Sequence, residues 1–537
     1  MSPYAVTFCE PPGMKNKRGD GMQVIIDWIK RVFWQDPKAC FETMDGASDL
    51  VGCLNVIVWS DALIYLALGA GLFYSILTRF VQVRMFREML RLLFSSKESE
   101  RGISSFQALA VSLSGRVGTG NIAGVAAAIG FGGPGAVFWM WVVAFLGSAT
   151  AYIESALGQI YKEVDEGQYR GGPAYYIEKA MGQKWYATIF AVVTIFACGV
   201  LLPGVQSNSI GNASNLAVGG ETMVGFLGDS VHLTKLVTRI GVVGVLGFII
   251  FGGVKRIAHV TQIIVPVMAL GYILMAVGII LYHIAEVPAI LALIVGDAFT
   301  PMAGVGAAIG WGVKRGVYSN EAGQGSGPHA AAASEVEHPA QQGLVQSFSV
   351  YVDTLFVCSA TEFMILITQQ YYVTGIDASV SGGLLGSDVV ISSPAFTQYA
   401  LESVMGGFGK TFVAVALFFF AFTTLLAYYY IAETNVAYIR RTLHIPGLLK
   451  ALKVVTLVSV FYGTIREANL AWAMGDLGVG LMAWLNIIGI LILFFMGRPA
   501  LRALRDYEAQ RKAGVEKYTF DPQKLGIKNA HFWENKL

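Results

Sequence analysis

The sequence predicts an all-α polytopic membrane protein, and three observations carry that prediction. Hydrophobic residues make up 55% of the 537 residues and charged residues only 14%, against about 25% charged in soluble domains. Mean hydropathy is +0.57. Eleven stretches are apolar over the ~20 residues that a helix needs to cross ~30 Å of hydrocarbon. The formal net charge of +2 singles out no partner, so the placement of basic residues carries the information.

The first span lies near 54–78. It is followed by 104–129, 135–160, 186–210, 237–253, 258–284, 298–326, 343–369, 411–432, 452–466 and 474–497. Together they define a transmembrane domain over 51–500, an N-terminal tail over 1–50 and a cytoplasmic C-terminal tail over 501–537. Within the first tail, residues 22–36 (MQVIIDWIKRVFWQD) place Ile25, Trp28, Ile29, Val32 and Phe33 at helical spacing beside Lys30 and Arg31. The segment is too short to span. It fits an amphipathic helix on the membrane surface or a helix packed on the protein's own rim.

Lysine and arginine placement sets the orientation. The loop after the first span holds Arg79, Arg84, Arg87, Arg91, Lys97 and Arg101, which places it in the cytoplasm. Alternation then brings Lys162 and Arg170, Lys255 and Arg256, Arg440 and Arg441, and Arg498, Arg502 and Arg505 to the same side. Segment 371–409 has no Lys or Arg and falls outside. The expected topology has the N-terminus outside and the C-terminus inside, although Lys15, Lys17 and Arg18 run against the rule. The start of the chain lacks the basic-then-apolar pattern of a cleaved signal peptide. Cys9, Cys40, Cys53, Cys198 and Cys358 are scattered and predict neither a metal site nor a disulfide framework.

The second span departs from an ordinary apolar helix. SLSGRVGTGNIAGVAAAIGFGGPG, 112–135, carries Arg116, Thr119 and Asn121 among Gly115, Gly118 and Gly120. Each glycine weakens a helix by roughly 1 kcal/mol relative to alanine, so local unwinding is cheap here. Unwound backbone is tolerated at membrane depth where it lines a cavity or is buried in protein. Freed carbonyls then suit a cation, and the amides opening a second half-helix suit a carboxylate. Small residues also serve close helix packing, and from this stretch alone both readings stand. Spacing excludes the dinucleotide fingerprint, because Gly118, Gly120 and Gly124 hold one residue too many. A second polar, glycine-rich interruption, PMAGVGAAIGWGVKRGVYSNEAGQGSGPHAAAA at 301–333, lies five spans later. Two interrupted spans in corresponding positions of two halves point to inverted repeats.

These residues resemble a known family. GGPGAVFWMWVVAFLG, 132–147, looks like the signature of the alanine or glycine:cation symporters. SGRVGTGNIAGVA (114–126), GVKRGVYSNEAGQGSGPHAAAA (312–333) and GLVQSFSVYVDTLFVCSA (343–360) are similar to the first, sixth and seventh core helices of that family. The resemblance covers about residues 50–500. It implies a leucine-transporter-like 5+5 inverted repeat preceded by one extra helix, eleven spans in all, in a bacterial inner membrane. The implied function is sodium-coupled symport of a small neutral amino acid, alanine or glycine. Sodium is then the coupling ion, and neither an organic cofactor nor a nucleic-acid partner is expected beside the amino acid and membrane lipid.

Residue roles follow from the same resemblance. The amides of Thr119, Gly120 and Asn121 are expected to receive the substrate carboxylate at the positive end of the second half-helix. Gln206 lines the pocket from core helix three or, alternatively, caps a helix end. Core helix six is expected to unwind around Gly304–Gly310, with Ala308, Ile309 and Gly310 beside the substrate side chain. Sodium is expected between core helices one and eight, on the carbonyls of Ser114, Val117 and Phe420 and the hydroxyls of Thr423 and Thr424, an all-oxygen set that suits a hard cation. Threonines in membrane helices also bond back to their own carbonyls. Thr424 and Tyr428 complete the expected substrate pocket.

Arg116, Glu154, Glu321, Asp353 and Glu362 are the ionisable groups at membrane depth, where function is the default suspicion. Arg116 is expected to pair with one of the acids, and His329 to be a helix-end residue. A proton-coupled symporter on the same scaffold, with Glu321 or Asp353 titrating, is the alternative reading, and a passive channel is a further one. The sequence has no HExxH motif, GxSxG elbow or cysteine–histidine pairing, so an enzyme is not expected.

Overall fold

The fold is organised around two helices that each break in mid-course. The computed structural model describes residues 47–94, 102–226, 229–299, 304–443, 445–464 and 467–536. The expected helix at 22–36 lies outside the described residues.

Two consecutive helices, α1 (Ala47–Val58) and α2 (Asp61–Leu77), are followed by α3 (Phe86–Phe94). The first broken helix comprises α4 (Ser105–Arg116) and α5 (Ala123–Gly132). Ser104 caps α4: its hydroxyl accepts from the Gln107 amide, and the Gln107 side chain accepts from the Ser104 amide, satisfying donors that a helix start leaves free. α6 (Gly135–Ile160) leads to a short hairpin of β1 (Glu163–Asp165) and β2 (Gln168–Arg170). Then come α7 (Lys184–Phe196), α8 (Leu202–Val218), a second hairpin of β3 (Met223–Phe226) and β4 (Asp229–His232), α9 (Leu233–Ile250) and α10 (Gly253–Tyr282).

The short α11 (Val287–Phe299) precedes the second broken helix, α12 (Val305–Asn320) and α13 (Gly327–Ala333). It is followed by α14 (Pro339–Val350) and α15 (Ser359–Ile367), joined without a break through a widened turn at Tyr351–Cys358. The chain closes with α16 (Ala395–Met405), α17 (Phe408–Leu443), α18 (Leu448–Gly463), α19 (Ala468–Met496), α20 (Pro499–Lys512) and α21 (His531–Glu534).

Eight helical stretches among the described residues are long and apolar enough to cross a membrane. Three further predicted spans fall on the two broken helices and on α18. α6 sits at the centre, packed along α12, α13 and α14, and small residues allow the approach. At Gly316 an added Cβ would meet Val143 and Met140 of α6. The C-terminal segment folds back onto the body: Trp533 donates to the Gln159 carbonyl at 2.9 Å, and Lys162 Nζ, buried under the rings of Tyr169 and Phe532, donates to the Ser334 carbonyl at 2.8 Å.

Two expectations are corrected. Core helix six is helical from Val305 onward, where the family resemblance implied unwinding around Gly304–Gly310; its break lies at Glu321–Ser326, between α12 and α13. Gly306 is an exposed helical position, and Gly310 faces Ile64 of α2. Cys53 is disulfide-bonded, a cross-link that the scattered cysteine spacing did not reveal.

Candidate functional site

The first break opens where α4 ends. Val117 leaves helical geometry (φ −77°, ψ 86°), Gly118 is extended, Thr119–Asn121 form one tight turn, and α5 begins at Ala123. Gly118 is required by close approach: a Cβ there would collide with the Thr424 hydroxyl and lie 3.1 Å from Gln206 Oε1. The freed amides find side-chain acceptors. Gly118 donates to Asn121 Oδ1 at 2.8 Å, and Thr119 donates to Gln206 Oε1 at 3.1 Å.

The freed carbonyls turn to α17. Thr424 Oγ1 lies 2.8 Å from the Ser114 carbonyl, 2.9 Å from that of Phe420 and 3.5 Å from that of Val117. Four oxygens of the expected cation set therefore converge, as a hard cation requires. Thr423 joins them only through the Phe420 carbonyl, at 3.0 Å. Its other contacts are the Phe419 carbonyl at 2.9 Å and Met268 Sδ at 3.8 Å.

The second break is built from left-handed residues. Glu321 (φ 55°), Gly323 (φ 85°) and Gly325 (φ 82°) alternate through it. A left-handed glutamate is strained and persists only when its surroundings hold it. Here the surroundings are carboxylate-centred. Glu154 of α6 accepts from the Gly323 amide at 3.3 Å, the Gly325 amide at 3.1 Å and Asn486 Nδ2 of α19 at 2.7 Å. The Asn486 amide also donates to the Gly323 carbonyl at 2.9 Å. Ser326 donates to Glu321 Oε2 at 2.7 Å.

The two breaks meet. Gly120 packs within 3.2 Å of Ser319 and Tyr318 by the position its Cβ would take, and Gly115 does the same with Glu321 Oε2. Asn121 Nδ2 donates to Asp353 Oδ1 at 2.6 Å, Ser319 donates to the same oxygen at 3.1 Å, and Thr354 donates to Asp353 Oδ2 at 2.7 Å. Asp353 and Cys358 sit on the widened turn between α14 and α15, the kind of helix irregularity that gathers at functional sites. Tyr428 of α17 is buried with its hydroxyl beside the Glu321 carboxylate.

The structure thus brings together Ser114, Val117, Thr119, Gly120, Asn121, Gln206, Phe420 and Thr424, with Thr423 and Tyr428 adjoining. It does not bring Ala308, Ile309 and Gly310 to the break. Gly310 lies eleven residues before Glu321, about 16 Å along the helix at 1.5 Å per residue. The side chains that α12 presents there are Tyr318 and Ser319. Arg116 also differs from expectation: it donates to the Gln346 carbonyl at 3.1 Å and to the Ser349 hydroxyl rather than pairing directly with an acid. Its Nε and Nη2 have no hydrogen-bond partner among the described residues. His329 is a helix-end residue in α13, bonded to the Ser326 carbonyl and Asn435.

Tyr318, Ser319, Thr354 and Asn486 were missed by sequence reasoning. The signal for Asn486 was a lone amide in the apolar run WLNIIG; the others sat inside quoted motifs without distinguishing spacing. Thr119 Oγ1, at the centre of the first break, is buried and lacks a hydrogen-bond partner among the described residues. Such a group is costly unless a ligand or water satisfies it.

Comparison with known proteins agrees with this architecture. The profile of the sodium:alanine symporter family matches residues 44–522. The sodium/proton-dependent alanine carrier protein of Bacillus sp. (strain PS3) is 49% identical over 453 residues, covering 83% of this chain and 97% of the relative. The sodium/alanine symporter AgcS of Methanococcus maripaludis is 36% identical over 456 residues, covering 83% and 94%. Among solved structures, MhsT in complex with L-phenylalanine superposes with a TM-score of 0.50 at 14% identity, covering 74% of this chain and 99% of MhsT. That likeness shows the leucine-transporter-like fold.

Proposed function

The chain belongs to the sodium:alanine symporter family of membrane transporters, and from that premise we propose that it couples uptake of alanine or glycine to sodium by alternating access. The observation that carries the reading is the convergence of Ser114 O, Val117 O, Phe420 O and Thr424 Oγ1. One hydroxyl ties α17 to the carbonyls freed by the first break, so a sodium ion entering this oxygen set pulls α4 and α17 together.

The substrate side follows from the same break. The amino-acid carboxylate takes the amides at Thr119–Asn121, where Gln206 Oε1 now accepts from Thr119. Gln206 then turns its oxygen to the substrate ammonium. Tyr318 and Gly120 leave little room for a side chain, which favours alanine or glycine because each extra methylene needs space. Binding is reciprocal, so alanine tightens sodium binding.

A second reading has a specific observation behind it. Asp353 is buried and bonded to Asn121, so a proton on this carboxyl would reach the first break directly, and the Bacillus sp. relative is named for both sodium and proton dependence. For orientation, the distribution of basic loops supports a cytoplasmic C-terminus in a bacterium.

The test is uptake of labelled alanine into proteoliposomes under an inward sodium gradient and under equal gradients of potassium or choline. Accumulation above equilibrium only with sodium is the expected result. Equal uptake in every salt, with accumulation driven by a pH gradient, would transfer the coupling to protons and Asp353.

A further inference from the structure

A basic cleft of about 620 Å³ opens between the residues that follow α2 and the C-terminal helix α20. Among the described residues its lining includes Arg79, Arg84, Arg505, Arg511 and Lys512, against a single carboxylate, Glu508. Some of this charge is internally matched. Arg79 and Arg84 reach Glu508 at 2.9 and 2.6 Å, and Arg511 reaches Glu88, behind the cleft, at 3.1 Å. Arg505 and Lys512 are exposed and form no ion pair among the described residues. The cleft therefore keeps a positive excess after its own pairs are counted.

The backbone leading into the cleft is unusual. Arg79 (φ 55°) and Phe80 (φ 53°) are consecutive left-handed residues without glycine, a conformation that costs energy at each position. The turn is held by hydrogen bonds from Arg79 to the Ile76 carbonyl at 3.0 Å and from Phe80 to the Ser75 carbonyl at 2.6 Å. Its effect is to separate charged from apolar side chains. Arg79 turns to Glu508 in the cleft, while Phe80, Val83 and Ile76 remain exposed beside it, Val83 and Ile76 at 58%. A charged concavity whose lining residues Arg79 and Arg84 are interleaved in sequence with exposed apolar residues suits the headgroup and the acyl chains of a lipid.

We propose that this cleft binds the headgroup of an anionic phospholipid, with the phosphate between Arg505, Lys512 and Arg79 and the acyl chains running along Ile76, Phe80 and Val83. Basic pockets at the cytoplasmic ends of membrane helices recognise anionic headgroups in this way. The exposed apolar residues distinguish the lipid from soluble phosphate, which would gain nothing from them. Occupancy would hold α20, and the C-terminal segment that follows it, against the end of α2. The inference does not depend on which amino acid or ion is transported.

The test is native mass spectrometry of the purified full-length protein in neutral detergent, titrated with phosphatidylglycerol or phosphatidylcholine. Phosphatidylglycerol is expected to be retained in preference, and excess inorganic phosphate is expected not to displace it. The Arg505→Gln/Lys512→Gln double variant is expected to lose roughly thirtyfold in apparent affinity, on the scale of one basic residue per headgroup contact. Glu508→Gln, which removes the lining carboxylate that pairs with Arg79 and Arg84, is expected to tighten retention. Equal retention of both lipids, or an unchanged affinity in the double variant, would overturn the site. Displacement by inorganic phosphate would assign the cleft to a soluble anion and overturn the lipid.

Discussion

The two broken helices solve one problem with different chemistry. At the first break, neutral groups receive the freed backbone: the Asn121 and Gln206 amides accept its N–H groups, and the Thr424 hydroxyl meets its carbonyls. At the second, the Glu154 carboxylate accepts two backbone amides and is itself fixed by Asn486. Neutral hydrogen bonds contribute about 1 kcal/mol each, and bonds to charged groups about 1.5–3 kcal/mol. The first break is thus the one that ligands can rearrange cheaply, and the second is a fixed frame beside it.

That contrast can be broken most severely at Glu154. Glu154→Ala strips both Gly323 and Gly325 of their acceptor and removes a carboxylate whose field reaches the buried Arg116. A loss of about 1–3 kcal/mol for each stranded donor is expected, read as a large fall in detergent thermal stability and in folded yield. A variant as stable as the parent would show that the second break does not need its frame.

Gly118→Ala comes next. The methyl collides with Thr424, and overpacking of this kind costs about 1–3 kcal/mol. Transport should be lost in protein that still folds; normal sodium-driven uptake would contradict the close approach of α17. Thr424→Ala should cost only about 1 kcal/mol of stability but remove the sodium response of alanine uptake. An unchanged sodium response would exclude this oxygen set as the coupling site.

Thr423→Val sharpens the assignment within the pair. Its hydroxyl bonds chiefly to its own helix, so the shift in sodium half-saturation should be clearly smaller than for Thr424→Ala. The smallest effect belongs to Gly310→Ala. The added methyl would stand 3.7 Å from Ile64, an ordinary contact, and the helix gains up to about 1 kcal/mol. An unchanged alanine KM is expected, and a strong rise would return residues 308–310 to the pocket.

The first break was legible because its glycines and polar residues lie close together in consecutive sequence, and cheap unwinding is a local property. The second was misplaced because the family resemblance was carried onto 304–310, where the chain is helical from Val305. Within that stretch Gly304 and Gly306 are exposed, and only Gly310 comes near another helix, at Ile64. The true break turns at Glu321, whose left-handed conformation no propensity announces. It depends on Glu154 and Asn486, which are 167 residues before it and 165 after it in the chain.

By itself, then, the sequence determined the membrane class, the all-α architecture, the family and the position of the first break, because hydropathy, glycine spacing and motif order are written in consecutive residues. Tertiary structure alone decided where the second helix unwinds, which of two adjacent threonines reaches across to α4, and that Arg116 is held by carbonyl and hydroxyl groups. Each of those outcomes is set by which polar groups distant stretches of the chain bring within hydrogen-bonding distance, where water is not present to offer an alternative partner.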